Sequence, residues 1–181
     1  GNYDVDKKPA WLNFLYGRGY QVWAEVFLSE DIVRQVLKTS SKQIFQVWLD
    51  KCLVGSALSG SLGYNAHFAN IVAAFFVATG QDLAHVVEGS LGMTTLKITT
   101  DKKLHCAIFA PCILLGSVGG GTQLVTQQLA QKISQAKNSR DLASLLGVGL
   151  LAGEISLLAA LATGTLAAAH RQLGRSYGRN S

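Results

Sequence analysis

Three consecutive charged residues near the start of the sequence, Asp6, Lys7 and Lys8, have types and spacing suited to chemistry. A fixed cation stabilises the negative charge that develops on a carbonyl oxygen, and two adjacent lysines also bind carboxylates. Considered alone, three such residues are more often a solvated turn. Their neighbours must therefore decide between the two interpretations.

Asp82 and His170 are two further candidates. An aspartate that follows an apolar run ending in Gly80 is by itself most often the N-cap of the next helix. A histidine after a long apolar segment is by itself a helix C-terminal residue stabilised by the helix dipole. Chemically, an acid beside a lysine favours the charged lysine, and an imidazole can protonate a leaving group near neutral pH.

A glycine-rich loop, GSVGGGT at 116–122, lies between a predicted strand and a predicted helix. Backbone amides at such a position can bind an anion. The loop matches neither the dinucleotide-binding GxGxxG pattern nor the P-loop, because no GKS or GKT follows it. By itself it predicts a flexible turn with a slight preference for anions.

Composition limits the classes of protein that remain. Charged residues make up 15% of the chain, against roughly a quarter in typical soluble domains. Hydrophobic residues make up 49%, and the mean hydropathy is +0.25, which excludes a disordered chain. So few charges predict a large buried interface, either with a second copy or with other parts of the same chain. The net charge of +5 favours a small anionic ligand over nucleic acid, since the basic residues lie near both ends.

The cysteines Cys52, Cys106 and Cys112 are odd in number and lack CxxC spacing. We therefore expect no metal site and no disulfide framework, and a reducing compartment fits best. There is no N-terminal signal-peptide pattern. The first residue is Gly1 and the single methionine is Met93, so the sequence is expected to be an excerpt of a longer protein.

The elements that must position the candidate residues follow from periodicity and capping. The pattern predicts a loop over 1–18, a strand over 21–28, and a hairpin of two strands, 93–99 and 103–109, ended by Pro111. Predicted helices cover 30–38, 42–51, 65–79, 82–88, 123–136, and a last stretch from about 139 to about 170.

The segment 145–169 is apolar for long enough to span a bilayer. It also contains Glu154 near its middle, and an acid there is unfavourable in lipid. A buried core or interface helix is the favoured interpretation, and a membrane span is the alternative.

Four stretches together resemble the catalytic domain of class I 3-hydroxy-3-methylglutaryl-coenzyme A (HMG-CoA) reductase. They are GNYDVDKKPA with GRG, LVGSALSGSLGYNAHFANIVAAFFVATGQD, GSVGGGT and LAGEISLLAALATGTLAAAH. The resemblance implies a mixed α/β fold, the large substrate domain with a long buried central helix. Residues 1–20 would be a loop returning from a missing cofactor domain, 21–170 the C-terminal part of the large domain, and 171–181 a mobile basic tail. The family's catalytic glutamate would lie in the missing upstream half.

The resemblance also implies the chemistry: NADPH-dependent reduction of HMG-CoA to mevalonate and free CoA through two hydride transfers. Lys7 would stabilise the oxyanion, Asp82 would support Lys7, and His170 would protonate the departing CoA thiolate. The implied substrate contacts are Asp6, Lys8, Lys51, His67 and Asn70. The implied cofactor contacts are Val118, Gly119, Gly120 and Gly121.

The resemblance further implies a homodimer or a dimer of dimers with active sites between subunits. It implies a cytoplasmic protein, or the cytosolic domain of a membrane-anchored parent, with no membrane contact in this segment. A different class of function is the alternative: a non-catalytic or truncated paralogue that binds acyl-CoA or only dimerises.

Overall fold

The computed structural model describes residues 4–165 and has mixed helix and sheet, as predicted. Three antiparallel strands, β1 (Tyr20–Leu28), β2 (Met93–Ile98) and β3 (Leu104–Ile113), form a sheet in the order β1-β3-β2. The predicted hairpin is therefore confirmed as β2 and β3. The central strand of the sheet is the last one in the chain.

Eight α-helices surround the sheet within the described residues. They are α1 (Trp11–Tyr16), α2 (Glu30–Gln35), α3 (Ser41–Trp48), α4 (Ser56–Leu58), α5 (Phe68–Thr79), α6 (Val86–Gly89), α7 (Val125–Ser134) and α8 (Ser139–Ala162). A π-helical segment, Leu49–Gly55, joins α3 to α4, and 3-10 turns at Leu83–His85 and Gly120–Gln123 lead towards α6 and α7. Ser29 caps α2 by accepting a hydrogen bond from the backbone of Ile32.

Helix α8 forms the centre of the core and packs on β1, β3, α3 and α5. Its length and its mean hydropathy of 2.1 would allow it to cross a membrane. However, Leu146, Leu150 and Leu158 are completely buried in the cluster that also contains strand residues of the sheet. The packing is close enough that a Cβ at Gly147 would lie 2.3 Å from Cγ1 of Val22. The helix is thus a core helix of this domain.

Glu154 is fully buried in the middle of α8. Its carboxylate accepts hydrogen bonds from the backbone amides of Ala66 (2.9 and 3.0 Å) and His67 (2.5 Å), and from the hydroxyl of Thr94 (2.8 Å). Burial raises the pKa of the Glu154 carboxyl despite these donors. One side chain therefore joins α8, β2 and the segment that leads into α5.

Glu154 also explains why α5 begins at Phe68 and not at 65 as predicted. The backbone amides of Ala66 and His67 donate to the Glu154 carboxylate. The backbone of His67 combines an extended φ with a ψ near zero, a combination outside the helical region. The helix ends as predicted at Gly80, which has φ +74°.

The hairpin pairing stops just before Pro111, as predicted, but strand β3 itself continues through Pro111 to Ile113. Strand β2 pairs with β3 only as far as Phe109, so the missing N–H of Pro111 removes no bond to β2. On the other side, the register with β1 is irregular between Tyr20 and Val22, opposite Pro111.

Two ends of the chain differ from prediction. The predicted loop over 1–18 contains helix α1, whose Asn13 is buried. Helix α8 ends at Ala162, and a turn with Gly164 at φ +70° interrupts the predicted helix; its remainder from 166 to about 170 lies outside the described residues. The division into domains stays a prediction.

Three other helices are shorter than predicted. Helix α2 stops at Gln35, and Lys38 has a left-handed φ of +57°. The α-helical part of the 42–51 prediction stops at Trp48, where π-helical hydrogen bonding begins. Helix α7 covers only Val125–Ser134 of the predicted 123–136.

Candidate active site

The Lys7 ammonium and the Asp82 carboxylate form an ion pair with Nζ to Oδ2 at 3.0 Å. Asp82 also accepts a hydrogen bond from the backbone of Ala84 at 3.0 Å, so it is the N-cap of the following turn as well as the partner of Lys7. A second carboxylate oxygen, Oδ2 of Asp6, lies 3.6 Å from Lys7 Nζ. Two of the predicted catalytic residues and one predicted substrate contact are therefore adjacent.

The charges of this cluster support one another. The hydrogen bond that Lys7 donates to Asp82, followed by the charge of Asp6, raises the pKa of Lys7 above its ordinary value of 10.5. The hydrogen bond from Lys7 is in turn the main reason why the pKa of Asp82 lies below its ordinary value of 3.8. The Lys7 side chain keeps 39% of its surface exposed, so a charged amine faces solvent or a ligand.

A hydrogen-bonded network centred on the buried Glu88 lies beside the lysine. The backbone amide of Lys7 donates to Oε1 of Glu88 at 3.0 Å, and Arg18 donates to the same oxygen at 2.9 Å. Nη1 of Arg18 also reaches Oδ1 of Asp6 at 2.5 Å, which holds the pKa of Asp6 below its ordinary range. His85 Nδ1 lies 3.0 Å from Oε1 of Glu88, whose side chain is completely buried.

Arg18, His85 and Glu88 were not predicted as site residues. Asp82, His85 and Glu88 follow one another at three-residue intervals, the spacing at which side chains meet on one helical face. That spacing could have indicated His85 and Glu88. The atoms of Asp6, His85 and Glu88 that could ligate a metal lie within 4.8 Å of one another, but Arg18 already supplies the positive charge among them.

The predicted cofactor loop lies beside Asp82. Val118, Gly119, Gly120 and Gly121 line a cleft of about 490 Å³ together with Gln81, Asp82 and Leu83. The backbone of Gly121 approaches Gly80 so closely that a Cβ at Gly80 would lie 2.4 Å from the Gly121 carbonyl. The Gln81 side-chain amide bonds both backbone groups of Gly116, at 2.8 and 2.9 Å. These contacts hold the loop against the end of α5.

Lys51 lines a second cleft, of about 840 Å³. Pro9, in the loop around Lys7 that precedes α1, borders this cleft on one side. Asn65, in the segment before α5, also borders it. Lys8 is exposed, with its ammonium 3.9 Å from Asp4. Lys51 and Asp82 thus line different clefts, and Pro9, two residues after Lys7, borders that of Lys51.

The two remaining substrate candidates lie at the start of α5. Asn70 is exposed, one residue after Ala69, which lines the second cleft. His67 is half-buried, and its ring lies near Gly153 of α8. The third predicted catalytic residue, His170, lies outside the described residues.

The sequence profile of hydroxymethylglutaryl-coenzyme A reductase matches residues 1–175 of the chain. The chain belongs to the hydroxymethylglutaryl-coenzyme A reductase family. This membership confirms the resemblance carried by the Lys7 loop, the glycine loop and α8.

Curated members of the HMG-CoA reductase family are similar across almost the whole chain. The 3-hydroxy-3-methylglutaryl-coenzyme A reductase of Methanocaldococcus jannaschii is 47% identical over 178 residues, which is 97% of this chain and 44% of that protein. The enzyme of Pyrococcus abyssi is 46% identical over 97% of this chain and 45% of its own length. Reductase 3 of Oryza sativa is 44% identical over 97% of this chain and 33% of its own length. The chain therefore spans less than half the length of these relatives.

Proposed function

We propose that this chain is the part of an HMG-CoA reductase that contributes the catalytic lysine, and that the whole protein reduces HMG-CoA to mevalonate and free CoA. The Lys7–Asp82 ion pair, at the edge of the cleft lined by the glycine loop, is the observation that carries the proposal. Family membership and the names of the similar proteins support it.

Lys7 supplies positive charge where the reaction needs it. Reduction of a thioester builds negative charge on the carbonyl oxygen, and a fixed cation aimed at that oxygen lowers the barrier. Asp82 favours the charged form of Lys7 and holds its ammonium in place. The exposed surface of Lys7 leaves room for a substrate oxygen to approach.

The cleft beside Asp82 suits a nicotinamide cofactor. Gly119 and Gly120 both have positive φ, and in the part of the chain that the structure describes a Cβ at either would meet no atom within 4 Å. The backbone there is therefore open to a flat ring or an anionic group. When bound, the cofactor supplies the hydride, and Val118 to Gly121 would contact it. We propose NADPH as that cofactor on the basis of the class I resemblance.

The remaining assignments follow the family resemblance. Asp6, Lys8, Lys51, His67 and Asn70 would contact the substrate, with Lys51 in the second cleft. His170 would protonate the CoA thiolate as the hemithioacetal collapses.

A second copy of the chain is proposed as the partner. Trp11, Trp23 and Phe27 have 60%, 65% and 53% of their surface exposed, as expected for residues that another subunit or an upstream segment covers. We propose a homodimer or a dimer of dimers, located in the cytoplasm or on the cytosolic side of a membrane.

The test is oxidation of NADPH driven by HMG-CoA in the full-length protein and its Lys7→Ala variant. Loss of the cation is expected to lower kcat roughly 10²- to 10³-fold. Lys103→Ala is the matched control, since Lys103 also pairs with an aspartate, Asp101, at 2.8 Å, in a surface turn. Full turnover in Lys7→Ala would refute the assignment. Absence of turnover in a folded, unmutated parent would favour the non-catalytic paralogue that binds acyl-CoA.

A further inference from the structure

Lys7 adopts a backbone conformation that a lysine rarely takes. Its φ is +56°, in the left-handed region where a Cβ is crowded by the following backbone. Such a conformation persists only when surrounding contacts hold it. The contacts that hold it identify the residues that place the Lys7 amine.

Three successive residues, Asp6 to Lys8, are held by residues farther along the chain. Arg18 binds the carboxylate of Asp6, Glu88 accepts the backbone N–H of Lys7, and the side chain of Asn13 donates to the carbonyl of Lys8 at 2.8 Å. Only the contact from Glu88 reaches the backbone of Lys7 itself.

Glu88 also contacts the turn that carries Asp82, the partner of Lys7 in the ion pair. The same Oε1 that accepts from Lys7 lies 3.0 Å from Nδ1 of His85, in the short helical turn that Asp82 caps. One buried oxygen thus contacts the backbone of Lys7 and the turn carrying Asp82.

Arg18 explains how Glu88 can be buried. A carboxylate with no exposed surface is unfavourable unless a charge and hydrogen-bond donors compensate it. The guanidinium of Arg18, 2.9 Å away, provides that charge, and the Arg18 backbone is itself bonded to the Pro111 carbonyl of β3 at 3.1 Å. The sheet thereby supports the position of Glu88.

We propose that Glu88, held by Arg18, is the positioning residue of Lys7: it fixes the left-handed backbone and the facing turn so that the ammonium meets Asp82. The inference rests on the proposed function, since it takes Lys7 as the catalytic lysine. Glu88 itself is not assigned a contact with substrate.

Turnover in the full-length protein tests this through Glu88→Ala, Glu88→Gln and Arg18→Gln. The matched control is Glu30→Ala, because Glu30 also pairs with an arginine (Arg34, 3.2 Å) and accepts a backbone N–H, that of Ser41, but in α2. Misplacement of a catalytic group by about 1 Å lowers turnover roughly 10²-fold. We therefore expect kcat of Glu88→Ala to fall 10- to 100-fold with KM for HMG-CoA changed less than about threefold.

Two further readouts separate positioning from a general structural role. Glu88→Gln keeps an acceptor oxygen for the Lys7 amide, so its kcat should lie clearly above that of Glu88→Ala. Amide hydrogen exchange of the peptide over 5–10 should accelerate in Glu88→Ala while exchange in α8 stays unchanged.

Wild-type kcat in Glu88→Ala, while Lys7→Ala is inactive, would overturn the positioning role and leave the proposed function intact. If Glu88→Ala does not fold, Arg18→Gln decides: it should lower kcat more than Glu30→Ala does, and wild-type kcat would overturn the inference. Full activity of Lys7→Ala would instead refute the proposed function.

Discussion

The side-chain amide of Gln81 pairs with the backbone of Gly116 through two hydrogen bonds: Nε2 donates to the carbonyl at 2.9 Å, and Oε1 accepts from the N–H at 2.8 Å. Gln81 immediately precedes Asp82, so this pairing couples the glycine loop to the partner of Lys7. The Gln81 side chain therefore links the two candidate parts of the site, in addition to the Gly80–Gly121 contact.

Replacement of Gln81 should loosen the glycine loop more than it disturbs the lysine. Gln81→Ala removes both hydrogen bonds, each worth about 1 kcal/mol, so the KM for the nicotinamide cofactor should rise roughly tenfold or more. Gln46→Ala is the control, because the Gln46 amide bonds only Asp50 on a solvent-facing part of the chain. Equal KM values in the two variants would contradict this role for Gln81.

Neutralisation of Asp82 should lower the pKa of Lys7. Asp82→Asn keeps an oxygen to accept the Ala84 N–H, so the turn should persist while the ion pair is lost. The pKa of Lys7, which Asp82 raises, should fall towards its ordinary value of 10.5. Because a raised pKa keeps Lys7 charged to higher pH, the variant should lose activity at a lower alkaline pH than the wild type.

This is measured as kcat against pH, with Asp101→Asn as the control for a surface aspartate–lysine pair. A fall in kcat of roughly 10- to 100-fold at neutral pH is expected from loss of the positioned acid. If kcat fell at the same alkaline pH in Asp82→Asn and in the wild type, Asp82 would not control the pKa of Lys7.

Gly80→Ala should destabilise the domain through the glycine loop. A Cβ at Gly80 would lie 2.4 Å from the carbonyl carbon and oxygen of Gly121, and the φ of +74° is also unfavourable for alanine. Overlap and strain together should lower the free energy of unfolding by about 3 kcal/mol.

Gly164→Ala is the control for strain alone, since Gly164 has a similar φ of +70° and no atom of residues 4–165 lies within 4 Å of its Cβ position. It should cost only about 1 kcal/mol. Urea denaturation of both variants gives the comparison. Equal losses would mean that the Gly80–Gly121 contact is not tight in solution.

Removal of the Glu154 carboxylate should leave three buried donors without an acceptor. Glu154→Ala is expected to lower the free energy of unfolding by about 3 kcal/mol, and Glu154→Gln by about 1 kcal/mol, since Gln retains one acceptor oxygen. Thermal and urea denaturation provide the measurement. A Glu154→Ala variant as stable as the wild type would show that the carboxylate does not join α8 to α5.

The stability difference between the wild type and Glu154→Gln should depend on pH in a defined direction. Burial raises the pKa of Glu154 above 4.5, so the folded state binds the proton more tightly than the unfolded chain. The stability of the wild type relative to Glu154→Gln should therefore be greatest below about pH 4.5, and it should decrease as pH rises through the raised pKa. The opposite trend would indicate that the three donors outweigh burial.

Local patterns in the sequence were sufficient for much of the fold. Enrichment in β-branched and aromatic residues predicted β1, and the turn between the two later strands predicted their hairpin. Gly80 marked the end of a helix because its effect acts on neighbouring backbone groups. Lys7 and Asp82 were found through motif resemblance, and the structure brings them to 3.0 Å.

Long-range contacts decided the rest. Glu88 meets Arg18 and Lys7 across 70 and 81 residues of chain, and no local periodicity specifies such pairs. Pro111 stays within β3 because β2 stops pairing before it, which depends on the relative lengths of two strands. The sequence by itself determined most of the strands and helices, since these depend on local backbone preference, whereas the candidate lysine came from resemblance to a family. Tertiary structure alone decided which buried carboxylate holds that lysine, because burial and charge pairing depend on the packing of distant segments.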